Sequence, residues 1–369
     1  MSLSPTLPVD RYRARREAFQ AKLLESLGGA FRLLGVYLGD QLGYYEALAA
    51  AGALTSAGLA DATQTHERYA REWLEQQTTA GVLEVDDENR PAAERRYSLP
   101  EAHRAVLADP DSLDFMAPLG QLLAGASKPL PRLLEAYRTG AGIPFEAYGE
   151  ELRTGQSRIN RAMFLQQLGQ EWIPTMPDVL ARLASAPGAR VADIGCGCGW
   201  SAIGVAQCFP QVQVDGFDFD APSVADARRN VAAHGLEDRV RTLQADAGDP
   251  SFEGRYDLVM ALECVHDMGD PVGALRTMRR LAGPDGAVLI ADECVAEKFR
   301  ADGGDVDWMM YGWSMLHCLP VGLVDPPAKG TGTCMRPDTL REYALEAGFD
   351  SVEILPIESL FFRFYRLRA

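Results

Sequence analysis

The chain has 369 residues, 47% of them hydrophobic, and a formal net charge of −16. That length exceeds one ordinary domain, so two domains are expected, each with enough apolar residues for a core. The acidic balance argues against a phosphate backbone as partner, no apolar run reaches the ~18 residues of a membrane span, and the polar N-terminus lacks the apolar core of a secretory signal.

Seven cysteines form no C-x-x-C pair, which points to free thiols in a cytoplasmic protein and to no metal centre. Near the N-terminus, the basic run Arg11 to Arg16 is interrupted by Glu17 and reads as a solvated helix face. Phe31 to Leu54 keeps helical spacing, and Thr55 or Ser56 caps a short helix before the turn Ala62 to Thr65. A second helix, His66 to Ala80, carries Tyr69, Trp73 and Leu74 and stops at Gly81. Val82 to Val85 and Arg96 to Leu99 read as paired strands around the polar loop Asp86 to Glu94.

Helix, turn, helix and ribbon make a winged-helix layout over residues 1–108. DNA reading would need a basic recognition helix and wing. Here the helix mixes His66, Glu67, Arg68, Arg71, Glu72 and Glu75, and the wing carries Asp86, Asp87 and Glu88. A dimerisation or substrate-lid module is therefore expected, with no nucleic-acid partner. Residues 109–186 read as a helical connector broken at Pro118, Pro129, Pro131 and Pro144 and ended by Pro187-Gly188. Its Arg153, Arg158, Asn160 and Arg161 read as surface ion pairing, or one of them reaches the active site.

Residues 187–369 form the third segment, and Arg190 to Ile203 (R-V-A-D-I-G-C-G-C-G-W-S-A-I) is its opening unit. Val191, Ala192 and Ile194 make a buried strand, Gly195, Gly197 and Gly199 a loop without side chains, and Trp200 to Phe209 a helix. Strand, glycine loop and helix form a nucleotide-type binding unit. Gly197, Gly199 and Ala202 also fit the G-x-G-x-x-A variant of a dinucleotide fingerprint, which would make the chain an NAD-dependent oxidoreductase. Asp193, two residues before the first glycine, opposes that reading because a carboxylate there repels a pyrophosphate and suits a cationic ligand.

A second strand, Val212 to Phe217, ends at Asp218, 19 residues beyond Gly199, where a carboxylate accepts ribose hydroxyls. Phe219 follows it, and Asp220 caps the helix Ala221 to His234. Val240 to Gln244 is the third strand, with Asp246 and Ala247 after it; Asp246 either accepts from an adenine amino group or serves the turn. Tyr256 to Leu262 is the fourth strand, followed by Glu263 and by His266-Asp267-Met268. The helix Pro271 to Ala282 and the strand Ala287 to Ala291, ending in Asp292-Glu293, come next. A long insertion, 294–335, carries Trp308, Tyr311, Trp313 and His317. The helix Pro337 to Ala347 and the strands Val352 to Leu355 and Phe361 to Leu367 close the chain. Alternating strands and helices predict an α/β fold with a Rossmann-like, seven-stranded, mostly parallel sheet behind the helical, winged-helix N-terminal domain. The short final link implies one antiparallel member.

D-x-G-x-G-x-G at Asp193 to Gly199 resembles motif I of the class I S-adenosylmethionine (SAM) methyltransferases. G-F-D-F-D, Q-A-D-A, Y-D-L-V-M-A-L-E-C-V-H-D-M-G-D-P and L-A-G-P-D-G-A-V-L-I-A-D-E follow in that family's order, so the resemblance covers the whole chain. It is similar to bacterial small-molecule methyltransferases with a winged-helix domain and, in architecture, to plant phenolic O-methyltransferases. The resemblance implies SAM as cofactor, a homodimer, and cofactor contacts from Asp193, Gly195, Gly197, Gly199, Asp218, Phe219, Asp246, Ala247 and Glu263. It also implies that His266, within H-D-M-G-D, deprotonates the acceptor hydroxyl with Asp267 beside it; Met268 replaces that motif's usual tryptophan and weakens this transfer of mechanism. His266 is alternatively a residue that caps the next helix while proximity alone drives transfer.

Glu263 faces the methionyl ammonium through its backbone carbonyl, or turns its side chain to the acceptor. Trp308, Tyr311, Trp313 and His317 are expected to wall a pocket for an apolar or aromatic acceptor, against the alternative that they pack as core. The reading is a methyltransferase acting on a small molecule at oxygen. N- or C-methylation and a SAM-responsive winged-helix regulator stand as alternatives.

Overall fold

Helical spacing at the N-terminus yields one long helix, Val9–Gln41, in the computed structural model, which describes residues 9–185, 188–249, 254–304, 306–325 and 327–368. Gly43, at φ +69°, turns the chain into the helix Tyr44–Ala51. Thr55 caps the helix Ser56–Thr63 by accepting from the Gly58 amide, and His66 caps Glu67–Thr79 through Nδ1. The ribbon is β1 (Glu84–Val85) antiparallel to β2 (Tyr97–Ser98). Trp73 is the keystone of this unit. Its ring meets Tyr44 and Tyr45 edge-on at 4.8 and 5.3 Å, and its Nε1 donates to the Gly35 carbonyl at 2.8 Å.

The chain divides into two compact units, Met1–Ala124 and Gly125–Ala369. The division falls inside the helix Pro118–Ser127. The connector's prolines stand at the breaks between helices and open the helix that follows. Pro118 opens its helix, and Pro131 lies in the first turn of Leu130–Thr139, where a missing N–H costs nothing. Pro187 lies outside the described residues.

The second unit carries seven strands: β3 (Arg190–Ile194), β4 (Gln213–Asp218), β5 (Val240–Gln244), β6 (Leu258–Leu262), β7 (Ala287–Glu293), β8 (Ser351–Ile354) and β9 (Phe362–Arg368). Their order is β5-β4-β3-β6-β7-β9-β8, with β9 alone antiparallel to its neighbours. β6 and β7 are buried along their whole length, as expected of strands covered on both faces. Alternate residues serve two cores: Val191, Leu258, Met260 and Leu289 on one face, Ala192, Ile194, Val259 and Ile290 on the other. Strand order reverses at β3, between β4 and β6, so the crevice where such sheets bind ligands opens at the C-terminal ends of these strands.

Candidate active site

The glycine loop leaves β3 and closes onto β4. The amides of Gly195 and Cys196 both donate to the Phe217 carbonyl, at 2.8 and 3.1 Å. Gly195, at φ +69°, passes so close to Cys264 that a Cβ would lie 2.7 Å from its Sγ. Gly197, at φ +51°, differs: nothing lies within 4 Å of where its Cβ would be. That open approach to the backbone is what a bound ligand requires. Asp193 is buried beneath the loop and accepts from the Ser201 hydroxyl. Burial, opposed by the Ser201 hydrogen bond and reinforced by the Asp218 charge, pushes its carboxyl up to about 7. Its side chain therefore holds the loop to the helix Trp200–Cys208.

Asp218 stands at the end of β4. One carboxylate oxygen accepts from the Gly197 amide at 2.8 Å and the other from the Asp220 amide at 2.9 Å. Each oxygen retains acceptor capacity beyond that one bond, as hydroxyl recognition demands. Phe219 beside it is 58% exposed and meets Phe145 edge-on at 5.9 Å. Asp246 is exposed and accepts from the Gly248 amide at 2.8 Å, which makes its own turn, while Ala247 packs on the core beneath.

The helix Gly149–Gln166 lies along this crevice. Ser157 accepts from Trp200 Nε1 at 2.8 Å, the Arg161 guanidinium sits 5.1 Å from that indole's centre, and Arg153 pairs with Asp226 at 3.1 Å. Gln156 donates to Glu263 Oε2 at 3.0 Å, and Asn160 also bonds that carboxyl. No signal in the sequence marked Gln156 or Ser201. Glu263 takes a left-handed φ of +59°, uncommon outside glycine, at the end of β6. Burial raises its carboxyl to about 7, and its buried Oε1 has no hydrogen-bond partner among the described residues.

His266 is buried beside three carboxylates. Its Nδ1 lies 2.9 Å from Asp292 Oδ1 and 3.0 Å from Glu293 Oε2, and its Nε2 lies 3.2 Å from Asp267 Oδ1. The single N–H at Nδ1 goes to Asp292, which leaves Glu293 Oε2 in charge contact without a hydrogen. Burial alone would lower the imidazole pKa, but Asp292, Glu293 and Asp267 outweigh it and raise it well above the ordinary histidine value. Nδ1 is thus committed to Asp292, while Nε2 lies beside Asp267 Oδ1, an oxygen with no hydrogen-bond partner among the described residues. Asp267 is held anionic at about 2; burial opposes this, and His266 overcomes it. His266 with Asp292 and Glu293, or with Asp267 and Cys318, bring ligand atoms within 4.8 Å of one another, close enough to share one cation.

His317 lies on the other side of Asp267, whose charge it feels. It is buried, whereas Trp308 is 71% exposed and Tyr311 is also exposed. Trp308 and Tyr311 face outward from the helix Asp307–Trp313, and Trp313 is half-buried, so of the expected wall residues only His317 enters the buried cluster. Tyr148 and Phe145, from the helical connector, enclose it. A separate open groove of about 460 Å³ along the β8–β9 hairpin, lined by Cys294, Leu355 and Phe362 among others, contains none of these residues.

Residues 191–286 match a family model described as a methyltransferase domain, and residues 30–109 match one described as an Rv2258c-like winged HTH domain. Ubiquinone biosynthesis O-methyltransferase of Pseudomonas aeruginosa is 27% identical over 214 residues, 57% of this chain and 83% of that one. The chain spans only 6% of a polyketide synthase from Burkholderia thailandensis and 34% of norajmaline N-methyltransferase from Rauvolfia serpentina, which also match. Among solved structures, mitomycin 7-O-methyltransferase has a TM-score of 0.68 at 21% identity, covering 97% of this chain and 100% of that one. Human N-acetylserotonin methyltransferase in complex with SAM has a TM-score of 0.65 at 19% identity, with 99% of each chain covered. In domain content the chain joins a methyltransferase domain to an N-terminal winged helix-turn-helix domain, and its fold is shared with the solved SAM-dependent methyltransferases.

Proposed function

We propose that the chain transfers the methyl group of SAM to a hydroxyl oxygen of a small, apolar or aromatic acceptor. The observation that carries this reading is the meeting, at the C-terminal ends of β3, β4, β6 and β7, of an open glycine loop and Asp218 with a buried histidine–carboxylate cluster. SAM supplies a methyl carbon already activated by its sulfonium.

The chain's part is to bind and to align, an effect worth several kcal/mol. Gly195, Gly197 and Gly199 let the backbone approach, Asp218 takes the ribose hydroxyls, Phe219 flanks the base, and Asp246 and Ala247 close its far side. Glu263, with Oε1 unfilled, suits the ligand's ammonium group. Asp193 acts from below by fixing the loop. His266 and Asp267 form the charged floor of the acceptor side. The O-methyltransferase among the relatives supports oxygen as the target. Norajmaline N-methyltransferase favours nitrogen as the second reading.

The partner in solution is a second copy. Tyr12, Phe19, Leu23, Leu27, Phe31, Leu34 and Leu38 recur every three, four or seven residues along the helix Val9–Gln41, and all are exposed. A continuous apolar stripe of that length calls for cover. All seven cysteines are free, in keeping with a reducing, cytoplasmic setting.

Calorimetric titration with SAM, S-adenosylhomocysteine and NAD tests the reading. Binding of the first two, weakened by Asp218→Ala, supports it, whereas binding of NAD alone overturns it.

A further inference from the structure

We propose that Gln156, on the helix Gly149–Gln166, is a positioning residue that fixes one carboxylate oxygen of Glu263 so that the other faces the ammonium group at the amino-acid end of SAM. This inference rests on the methyl-transfer reading above. Ala261 of β6 is paired with Ile194 of β3, so Glu263, two residues on, is level in register with Cys196 of the glycine loop. Cys264 follows it and lies against that loop, its Sγ 2.7 Å from where a Gly195 Cβ would be. Asp218 ends β4, on the other side of β3. Neighbouring strands lie ~4.8 Å apart, so the ends of β4 and β6 are ~10 Å apart across the loop, a reach that suits a ligand with ribose hydroxyls at one end and an amino group at the other.

The Glu263 backbone is set before its side chain is. Its φ of +59° is left-handed, a conformation that only Gln64 shares among the described non-glycine residues, and its amide donates to the Ala291 carbonyl at 2.8 Å. Backbone of this kind persists where the surroundings hold it, and it gathers at ligand sites. The two carboxylate oxygens then have unequal company. Oε2 accepts from Gln156 Nε2 at 3.0 Å, whereas Oε1 is buried with no hydrogen-bond partner among the described residues. A buried acceptor left without a donor marks a place where a donating group of a ligand fits. An ammonium supplies both the missing hydrogen and the opposite charge. A glutamine amide suits the other oxygen because it donates without neutralising the carboxylate, as a lysine or arginine there would.

The helix that carries Gln156 is anchored on both sides of it. Arg153, Gln156 and Ser157 recur at the three- and four-residue spacing of one helix face. Arg153 pairs with Asp226 on the helix after β4 at 3.1 Å, and Ser157 accepts from Trp200 Nε1, on the helix after β3, at 2.8 Å. Gln156 reaches the end of β6 between these two contacts, so a single face of one helix ties together three successive strand ends of the crevice.

Calorimetric titration of the full chain with S-adenosylhomocysteine and with its deamino analogue, in which hydrogen replaces the amino group, tests this without any acceptor. Gln156→Ala should weaken S-adenosylhomocysteine binding about tenfold and the deamino analogue by less than about twofold. Gln156 is exposed, so its truncation leaves the core intact. Glu263→Gln should show the same selective loss, and adding Gln156→Ala to it should change little, because both act on one contact. Equal weakening of the two ligands by Gln156→Ala would reveal a merely structural helix contact and overturn the proposal. Unchanged S-adenosylhomocysteine binding in that variant, full additivity of the two substitutions, or a wild-type chain that binds both ligands equally would also overturn it. A wild-type chain that binds neither ligand would instead overturn the methyltransferase reading.

Discussion

Asp218 holds a loop amide on one carboxylate oxygen and its own turn on the other, so its loss acts on both loop and ligand. Asp218→Ala should weaken S-adenosylhomocysteine binding by ~1–3 kcal/mol, read by calorimetry. His266 is the opposite case, a charge that compensates others. His266→Ala leaves Asp292 and Glu293 buried, with Asp267 half-buried beside them, around a void, and should cost about 3–5 kcal/mol in denaturant unfolding. A cost below ~1 kcal/mol would show that these carboxyls were already neutral.

Glu263 provides a pH signature. Its carboxyl, raised to about 7 by burial, favours the fold most when protonated. Its contribution is therefore full below the ordinary value of 4.5 and is lost as pH rises through about 7. An ammonium group set against Oε1 restores the charged form. SAM binding should then release protons near pH 6 to 7, with apparent affinity rising with pH across that window. Calorimetry in two buffers of different ionisation enthalpy checks this, and equal apparent enthalpies would exclude the ammonium at Glu263.

At the scale of the element, the strand–loop–helix unit at Arg190 to Cys208 separates two kinds of glycine. Gly195→Ala drives a methyl against Cys264 Sγ at 2.7 Å and keeps a left-handed φ, so it should destabilise the fold as well as binding. Gly197→Ala meets open space and bears only the backbone penalty of ~1–2 kcal/mol, with the larger loss in ligand affinity. Thermal melts with and without S-adenosylhomocysteine distinguish the two. Equal loss of ligand-free stability in both variants would mean that Gly197 does not face the ligand. The wide turn Ser314–Cys318 sets where the His317 ring lies, edge-on to Tyr148 at 4.6 Å.

At the scale of the whole molecule, two units with separate cores carry separate tasks. In the helix Glu67–Thr79, Arg68 pairs with Glu72 and Arg71 with Glu67, and Arg95 of the wing reaches Glu75. The winged-helix surface is thus neutralised from within, in keeping with its acidic wing. The apolar stripe on Val9–Gln41 is the surface in need of cover. Leu23→Asp combined with Phe31→Asp should convert a dimer to a monomer in light scattering, with the far-ultraviolet signal of the fold retained. A wild-type chain that is monomeric would remove the proposal.

The order of elements, the glycine loop, the place of Asp218 at the end of its strand and the helix caps Thr55 and Asp220 were legible from residue spacing, because strand and helix periods and capping chemistry are local. The reversed strand β9 was legible too, from the short link before it. The connector's prolines marked the breaks between helices, because a proline that opens one helix cannot sit inside the one before it. The exposure of Trp308 and the partners Gln156, Asp292 and Glu293 were set by packing between residues far apart in sequence. Above all, the pattern H-D-M-G-D could mark a histidine at the end of a strand but not its protonation state. That state is decided by Asp292 and Glu293, which β7 brings alongside β6, and by a burial that makes their charges act strongly on the ring.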